Sequence, residues 1–532
     1  MYDYVIVGAG SAGCVLANRL SEDPDVQVLL IEAGPPDTAD FIHIPAAFSA
    51  LFRSQNDWDL GTAYEPALDD RRLYLPRGKT LGGSSSLNAM IYMRGNRIDY
   101  DEWSELGWGW DDLLPYFLRA EDNVRGASAH HGVGGPLRVS DSLARTGLSQ
   151  AFLDACAARG LPANEDFNGP TQEGFGWYQL TTRDGRRGST AVSYLHPVLD
   201  RPNLSVETNL HVHRVLFDGT RAVGVAGSRL TEMHEFRAER EVVVCAGSYL
   251  SPQVLCLSGI GRPDELALLQ VPVVAEAPGV GLGLQDHPTT GFTWMCQEPV
   301  SLKDALNEEN LALWATQGGG PLSSNTAECG GFLRTREELA APDVQFHMVS
   351  GMFVQEGLLP APAHGFTLSA CVLRPQSRGM VAVVSPDPTT KPLIVHNYLA
   401  EPGDMRSAVA GVRTVLEIAA TEPLSQYAQV PWREAASDSD EDLAAHIRAT
   451  AQTIYHPTST CRMGADDLAV VDPELRVRGV EGLRVVDASI FPAVPRGNTN
   501  APVIAVAEKA ADLIRGLAAP TSDAQAQARA TA

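Results

Sequence analysis

The chain opens on an apolar run, Tyr4-Val5-Ile6-Val7, which stops at Gly8-Ala9-Gly10-Ser11-Ala12-Gly13; a helix-like stretch follows, and a second apolar run over residues 28–31 ends in Glu32. Short continuous apolar runs read as strands buried on both faces, so this order predicts strand, glycine turn, helix and strand. A similar grammar returns at residues 241–245, where Val242, Val243 and Val244 lead into a glycine and serine loop and then a helix predicted to start at Ser251 and Pro252. Alternating strands and helices are expected over the first 35 residues and from about 203 to 261. From about 291 to 450 the pattern changes to strand-like pieces, among them residues 344–348 and 366–368, which predict an antiparallel sheet. Residues 318–325, rich in Gly and Ser, read as a mobile loop or lid at its edge. Past Gly516 the composition falls away to Ala, Gln, Ser and Thr, predicting a disordered tail over 517–532.

The glycine run carries a mechanism. Gly8 permits a tight turn, Gly10 lets backbone approach a pyrophosphate, and Gly13 packs helix on strand, while the helix N-terminus offers positive potential to phosphates. Glu32, closing the next strand, is placed to hold ribose hydroxyls. A second cluster, residues 77–88, strings Gly78, Gly82 and Gly83 to Ser84, Ser85, Ser86 and Asn88. Such a run presents many backbone N–H groups, which suits a pyrophosphate or the polar edge of an isoalloxazine, although alone it reads equally as a flexible loop. A nicotinamide coenzyme and FAD share the first motif. Its N-terminal place and the later cluster favour FAD, which spans more of a protein than one βαβ unit.

Composition narrows the class. With 532 residues, 44% of them hydrophobic, the chain can bury one large or two moderate cores. A formal charge of −24 argues against nucleic acid and anionic membrane surfaces. No apolar run approaches membrane-spanning length, and the chain enters a strand by Tyr2 without a basic and apolar leader, so the expected location is cytoplasmic, with peripheral membrane contact left open. Eight cysteines without a CxxC pair read as reduced thiols. Adjacent His130 and His131 point apart and do not suit a shared metal.

Residues 78–88, 247–261, 279–287 and 455–464 together resemble the signatures of the glucose/methanol/choline (GMC) family of flavin-dependent alcohol oxidoreductases, over nearly the whole length. Within it the chain looks most like bacterial choline dehydrogenases and medium-chain alkanol dehydrogenases. The resemblance implies a mixed α/β fold: a Rossmann-like FAD-binding domain over 1–150, 190–290 and 452–516, and an antiparallel-sheet substrate domain over 151–189 and 291–451. Carried onto this chain, it implies that Gly8, Gly10, Gly13 and Glu32 hold the adenosine end and pyrophosphate of FAD. Val212 would contact adenine, Gly82, Gly83, Ser84 and Asn88 would lie by the pyrophosphate, ribityl or ring, and Asp487 with Ala488 would return to the pyrophosphate. Some members attach FAD through a histidine in the glycine and serine run; Leu87 stands there instead, so the expected attachment is noncovalent.

The resemblance also implies the chemistry: oxidation of a primary alcohol to its aldehyde, with His456 taking the hydroxyl proton and hydride passing to flavin N5. An imidazole titrates near neutrality and suits that task, whereas Asn498 would orient the oxygen and stabilise developing alkoxide charge as a fixed dipole. Asn500, two positions on, is a further candidate toward substrate, as are Glu328 and Phe332. The substrate is expected to be a primary alcohol of moderate size and low charge, and the electron acceptor either O2 or a quinone or other carrier. An oxidase releasing H2O2, a choline dehydrogenase, an FAD-containing hydroxynitrile-lyase-like enzyme and a noncatalytic flavoprotein remain the alternatives.

Overall fold

In the computed structural model, which describes residues 1–520, the opening pattern forms the centre of a seven-stranded sheet. Tyr2–Val7 runs parallel to Val28–Ile31 on one side and to the end of Glu232–Val244 on the other. Leu204–Glu207 and Leu483–Val485 extend the parallel array at its two ends. Val28, Leu29, Val242, Val243 and Val244 are fully buried, because both faces of these strands are covered; hence the unbroken apolar runs. The helix Ser11–Leu20 packs against the C-terminal helix Asn500–Arg515. Buried Glu508 ties the two together by accepting hydrogen bonds from Arg19, Arg119 and Tyr194.

The expected alternation fails between 203 and 244. No helix intervenes there; His211–Asp218, Arg221–Arg229 and Glu232–Val244 form an antiparallel meander. The last of these strands has two characters. Its first half is mostly exposed and polar, and its final valines are buried in the parallel array. The following helix, Gly247–Leu257, starts ahead of the expected Ser251 and carries Pro252 inside it. Proline lacks the N–H that would pair with the carbonyl of Ser248; the Thr460 hydroxyl donates to that carbonyl instead, at 2.6 Å.

The second sheet is antiparallel, as the change of pattern predicted, with Val430–Pro431, Pro288–Met295, Gly365–Val372, Val344–Val349, Cys329–Leu333 and Gly174–Trp177 in spatial order. Helices Pro402–Ala419, Asp440–Thr450 and Gly147–Ala158 share its core. Two expected domain limits therefore fall inside elements: the one at 290/291 cuts Pro288–Met295 and the one at 150/151 cuts Gly147–Ala158.

Residues 318–325 are not a lid. Gly318 closes helix Glu308–Gln317, Ser324 and Asn325 are fully buried, and Asn325 Nδ2 donates to the Ala89 carbonyl at 2.8 Å. The segment is a packed wall: the Ser323 and Ser324 hydroxyls and the Asn325 amide nitrogen find partners inside rather than in water. Of the expected tail, residues 517–520 follow the last helix without regular structure, and 521–532 lie outside the described residues. No helix among the described residues is long and apolar enough to cross a membrane. All eight cysteines are unpaired.

Candidate functional site

A continuous cavity of about 930 Å³ lies between the two sheets, with Gly10, Glu32 and Val212 in one wall and His347, Ser369 and Thr367 in another. Every expected cofactor residue except Gly13 and Gly82 lines it. Those two glycines act one layer behind: a Cβ on Gly13 would stand 1.9 Å from the Gly8 oxygen, and the Gly82 N–H donates to the Ala9 carbonyl at 2.8 Å. The glycine turn and the glycine and serine run are thus one structure.

The residues present fit a long dinucleotide. At Gly10 a Cβ would project into open space, its nearest neighbour being the Cys245 oxygen at 4.0 Å, so bare backbone faces the cavity. The Glu32 carboxylate accepts from the Ala9 N–H at 3.0 Å and the Gly34 N–H at 2.8 Å. Burial outweighs these bonds and raises its pKa to about 7. Asp487 accepts from the Gly247 N–H at 2.9 Å and the Ser251 hydroxyl at 2.5 Å, which binds the returning strand to the third glycine cluster. Asn88 is held from behind by Arg187, whose guanidinium donates to the Asn88 side-chain oxygen at 2.9 Å and to the carbonyls of Ile42, Ser85 and Asn88. Fully buried and facing only neutral acceptors, Arg187 has its pKa pulled down to about 9.

His456 and Asn498 come together as the motifs predicted. Asn498 Nδ2 lies 3.3 Å from His456 Nε2, and both residues line the cavity. The other imidazole nitrogen, Nδ1, lies 2.9 Å from Nδ1 of His287. The backbone N–H of His456 donates to Asp286 at 2.7 Å, and Asp286 also accepts from Tyr398 and Thr453. Burial, and then His287, His347 and Arg77, hold the His456 pKa well below the usual histidine value, so the ring is neutral. Two polar atoms around this pair have no partner in the protein, Nδ1 of His347 and Oε1 of Gln345. His347 lines the cavity, and a polar ligand group there would satisfy its Nδ1.

One profile for GMC oxidoreductases matches residues 2–289 and a second, for the C-terminal part of GMC oxidoreductases, matches residues 375–507. The chain belongs to the GMC oxidoreductase family. It is 45% identical over 529 residues to an oxygen-dependent choline dehydrogenase of Burkholderia lata, covering 97% of this chain and 94% of that one. It is 42% identical to an alcohol dehydrogenase [acceptor] of Pseudomonas putida, covering 97% and 96%. Pyridoxine 4-oxidase from Mesorbium loti superposes with a TM-score of 0.89 at 33% identity, covering 97% of this chain and all of the other.

Of the three residues expected toward substrate in this GMC chain, two are placed outside the cavity lining and the third is engaged within the protein. Glu328 is fully buried outside the cavity lining; its carboxylate accepts from Ser324 at 2.6 Å and from the N–H and hydroxyl of Thr146 at 2.8 and 2.9 Å, holding the residue that caps the helix Gly147–Ala158. Phe332 is packed with Phe167 in a small core. Asn500 does line the cavity, but its side chain accepts from Ser11 Oγ at 2.7 Å, joining the last helix to the glycine turn. In the other direction, His287, Gln345 and His347 went unassigned. Residues 279–287 carried the family pattern, so His287 had a signal, whereas Gln345 and His347 sit in a strand whose only signal was hydrophobicity.

Proposed function

We propose that the chain oxidises a primary alcohol of low charge to its aldehyde, using noncovalent FAD and passing electrons to a quinone-like carrier. The observation that carries this reading is the neutral His456 imidazole set against the Asn498 amide at the cavity wall. As a GMC oxidoreductase it acts on CH–OH donors. FAD, when bound, supplies the acceptor for the hydride that leaves the carbinol carbon. His456 takes the hydroxyl proton, and the Asn498 amide hydrogens stabilise charge growing on that oxygen. Gly8, Gly10, Glu32, Gly83, Ser84, Asn88, Val212, Asp487 and Ala488 would hold FAD. Leu87, which lines the cavity at the position where some relatives carry a histidine, has no nucleophilic atom, and this supports noncovalent attachment. The division into FAD and substrate domains follows the two sheets. Eight unpaired cysteines suit the cytoplasm.

Choline is the competing substrate, on the names of the relatives. Against it, Glu328 is turned inward, and Glu356 in the lining is accompanied by Arg53, Arg71 and Arg433. A quaternary ammonium gains most from acids and bare aromatic faces, and this balance of charge does not favour one.

The test is anaerobic titration of the flavin-loaded protein with alkanols, benzyl-type alcohols, glycols and choline, followed by absorbance. Bleaching of the flavin band by uncharged alcohols, with choline at least ~10-fold less efficient, supports the reading; a preference for choline overturns the substrate class. A band that no alcohol bleaches overturns the redox reading and points to the lyase. Peroxide formed in air as fast as alcohol is consumed overturns the choice of acceptor.

A further inference from the structure

We propose that His287 is a positioning residue that fixes the tautomer of His456, leaving Nε2 of His456 as the bare nitrogen that accepts the alcohol proton. This rests on the alcohol oxidation proposed above. The argument starts from a group with no choice. The Leu373 carbonyl can only accept, so His287 Nε2, 3.0 Å away, carries a hydrogen. His287 is fully buried and far from any state in which it would be doubly protonated, since burial takes its pKa to about 3. Its other nitrogen, Nδ1, therefore holds a lone pair. That lone pair faces His456 Nδ1 at 2.9 Å, which must carry the hydrogen between them. A neutral His456 has only one such hydrogen, so Nε2 is bare.

The far side of the ring agrees. The Tyr178 hydroxyl spends its hydrogen on the Phe346 carbonyl and so must accept from the Gln345 amide, which makes the end that lies 3.4 Å from both the Tyr178 hydroxyl and Asn498 Oδ1 the donating nitrogen. Asn498 thus turns its own Nδ2 toward His456 Nε2, at 3.3 Å, and an N–H donor needs a lone pair there. From Leu373 to Gln345 the groups admit one direction of hydrogen bonding. Asp286 and His287, neighbours in sequence, hold residue 456 by two handles, the backbone N–H and the ring.

In the reaction the alcohol O–H bond breaks and an N–H bond forms at His456 Nε2; the electron pair stays on oxygen. His456 becomes an imidazolium that keeps its Nδ1 hydrogen on His287. A carboxylate at this place in a Ser–His–Asp triad orients the ring and also attracts the imidazolium by charge. His287 orients without a charge, consistent with a base that is unprotonated before substrate arrives.

Two substitutions separate the roles. Gln at 287 retains an oxygen to accept from His456 and an amide to donate to Leu373; Leu retains neither. In flavin-loaded protein carrying 15N-histidine, with the His456 resonances assigned by their absence in His456→Gln, wild type and His287→Gln are expected to show Nδ1 protonated and Nε2 bare. His287→Leu is expected to populate the Nε2-protonated form and to slow flavin reduction by alcohol at least ~100-fold, while His287→Gln stays within ~10-fold of wild type. A proton on Nε2 in wild type overturns the proposal, as does His287→Leu with wild-type tautomer and rate. The wild-type measurement decides the assignment even if His287→Leu does not fold. Because tautomers are read without turnover, a flavin that no alcohol reduces would defeat the proposed activity and leave the tautomer result distinct.

Discussion

Gly83 backs directly onto Gly10: a Cβ added to Gly83 would stand 2.7 Å from the Gly10 Cα. Gly83 also sits at a φ of +52°, in the left-handed region. Gly83→Ala must therefore push the glycine and serine run away from the glycine turn, and FAD affinity is expected to fall at least ~10-fold, since these backbones form one cradle. Flavin content after purification and titration of the apoprotein check this. Gly147→Ala, at a helix start with open space around its Cβ, is the control and should retain flavin. Full flavin content in Gly83→Ala would sink the idea.

The pH profile of alcohol oxidation follows from the burial of His456. The base must be unprotonated to work, and its pKa lies well below 6.5. Activity limited by this group is present above that pKa and lost as pH falls through it, so kcat/KM should be flat from pH 6.5 upward, with its acid limb below 6.5. Stopped-flow flavin reduction should slow by about 10²- to 10⁴-fold in His456→Ala and about 10²- to 10³-fold in Asn498→Ala. An acid limb centred above pH 7 would contradict the neutral-base assignment.

The bond from the Thr460 hydroxyl to the Ser248 carbonyl compensates for Pro252. Thr460→Val leaves that buried carbonyl without a donor and is expected to cost about 1–3 kcal/mol of stability. Pro252→Ala supplies a backbone N–H to the same carbonyl. In the double variant the loss from Thr460→Val should shrink, which denaturant unfolding of the four proteins of the cycle would measure. Strict additivity would show that the two sites are independent.

His131 was a candidate only for absence of a metal role; it proves to bridge Glu121 at 3.0 Å and Asp166 at 2.8 Å. Burial lowers its pKa, but the bonds to Asp166 and Glu121 outweigh burial and raise it to about 9. A folded pKa raised above the unfolded value contributes stability that is full below pH 6.5 and disappears as pH climbs toward 9. At 1.36 kcal/mol per unit the contribution is roughly 3 kcal/mol. Thermal unfolding of wild type and His131→Gln should therefore differ most near pH 6 and converge by pH 9.5; a gap independent of pH would remove the titration argument.

The cofactor half of the site was legible because its rules are local. Gly8 and Gly83 hold positive φ, which a local turn asks of glycine, and an acid after a buried strand is placed by the strand itself. His456 and Asn498 were legible through the family pattern. The substrate half was not. Glu328 looked available in sequence and is occupied by Ser324 and Thr146; residues 318–325 looked mobile, and 322–325 among them are buried. Composition reports what a segment can do in water, not which partners the fold brings to it.

The sequence alone determined the strand, glycine turn and helix at the start of the chain and the change to an antiparallel sheet after residue 291, and it named His456 and Asn498 as the candidate pair. Tertiary structure alone decided that His287, Gln345, His456 and Asn498 form one directed hydrogen-bond chain. They come from separate strands of the second sheet, from the turns beside them and from the loop before the last helix, so no local pattern links them. A tautomer depends on which single lone pair or hydrogen faces each nitrogen, and that is settled only when the ring is packed.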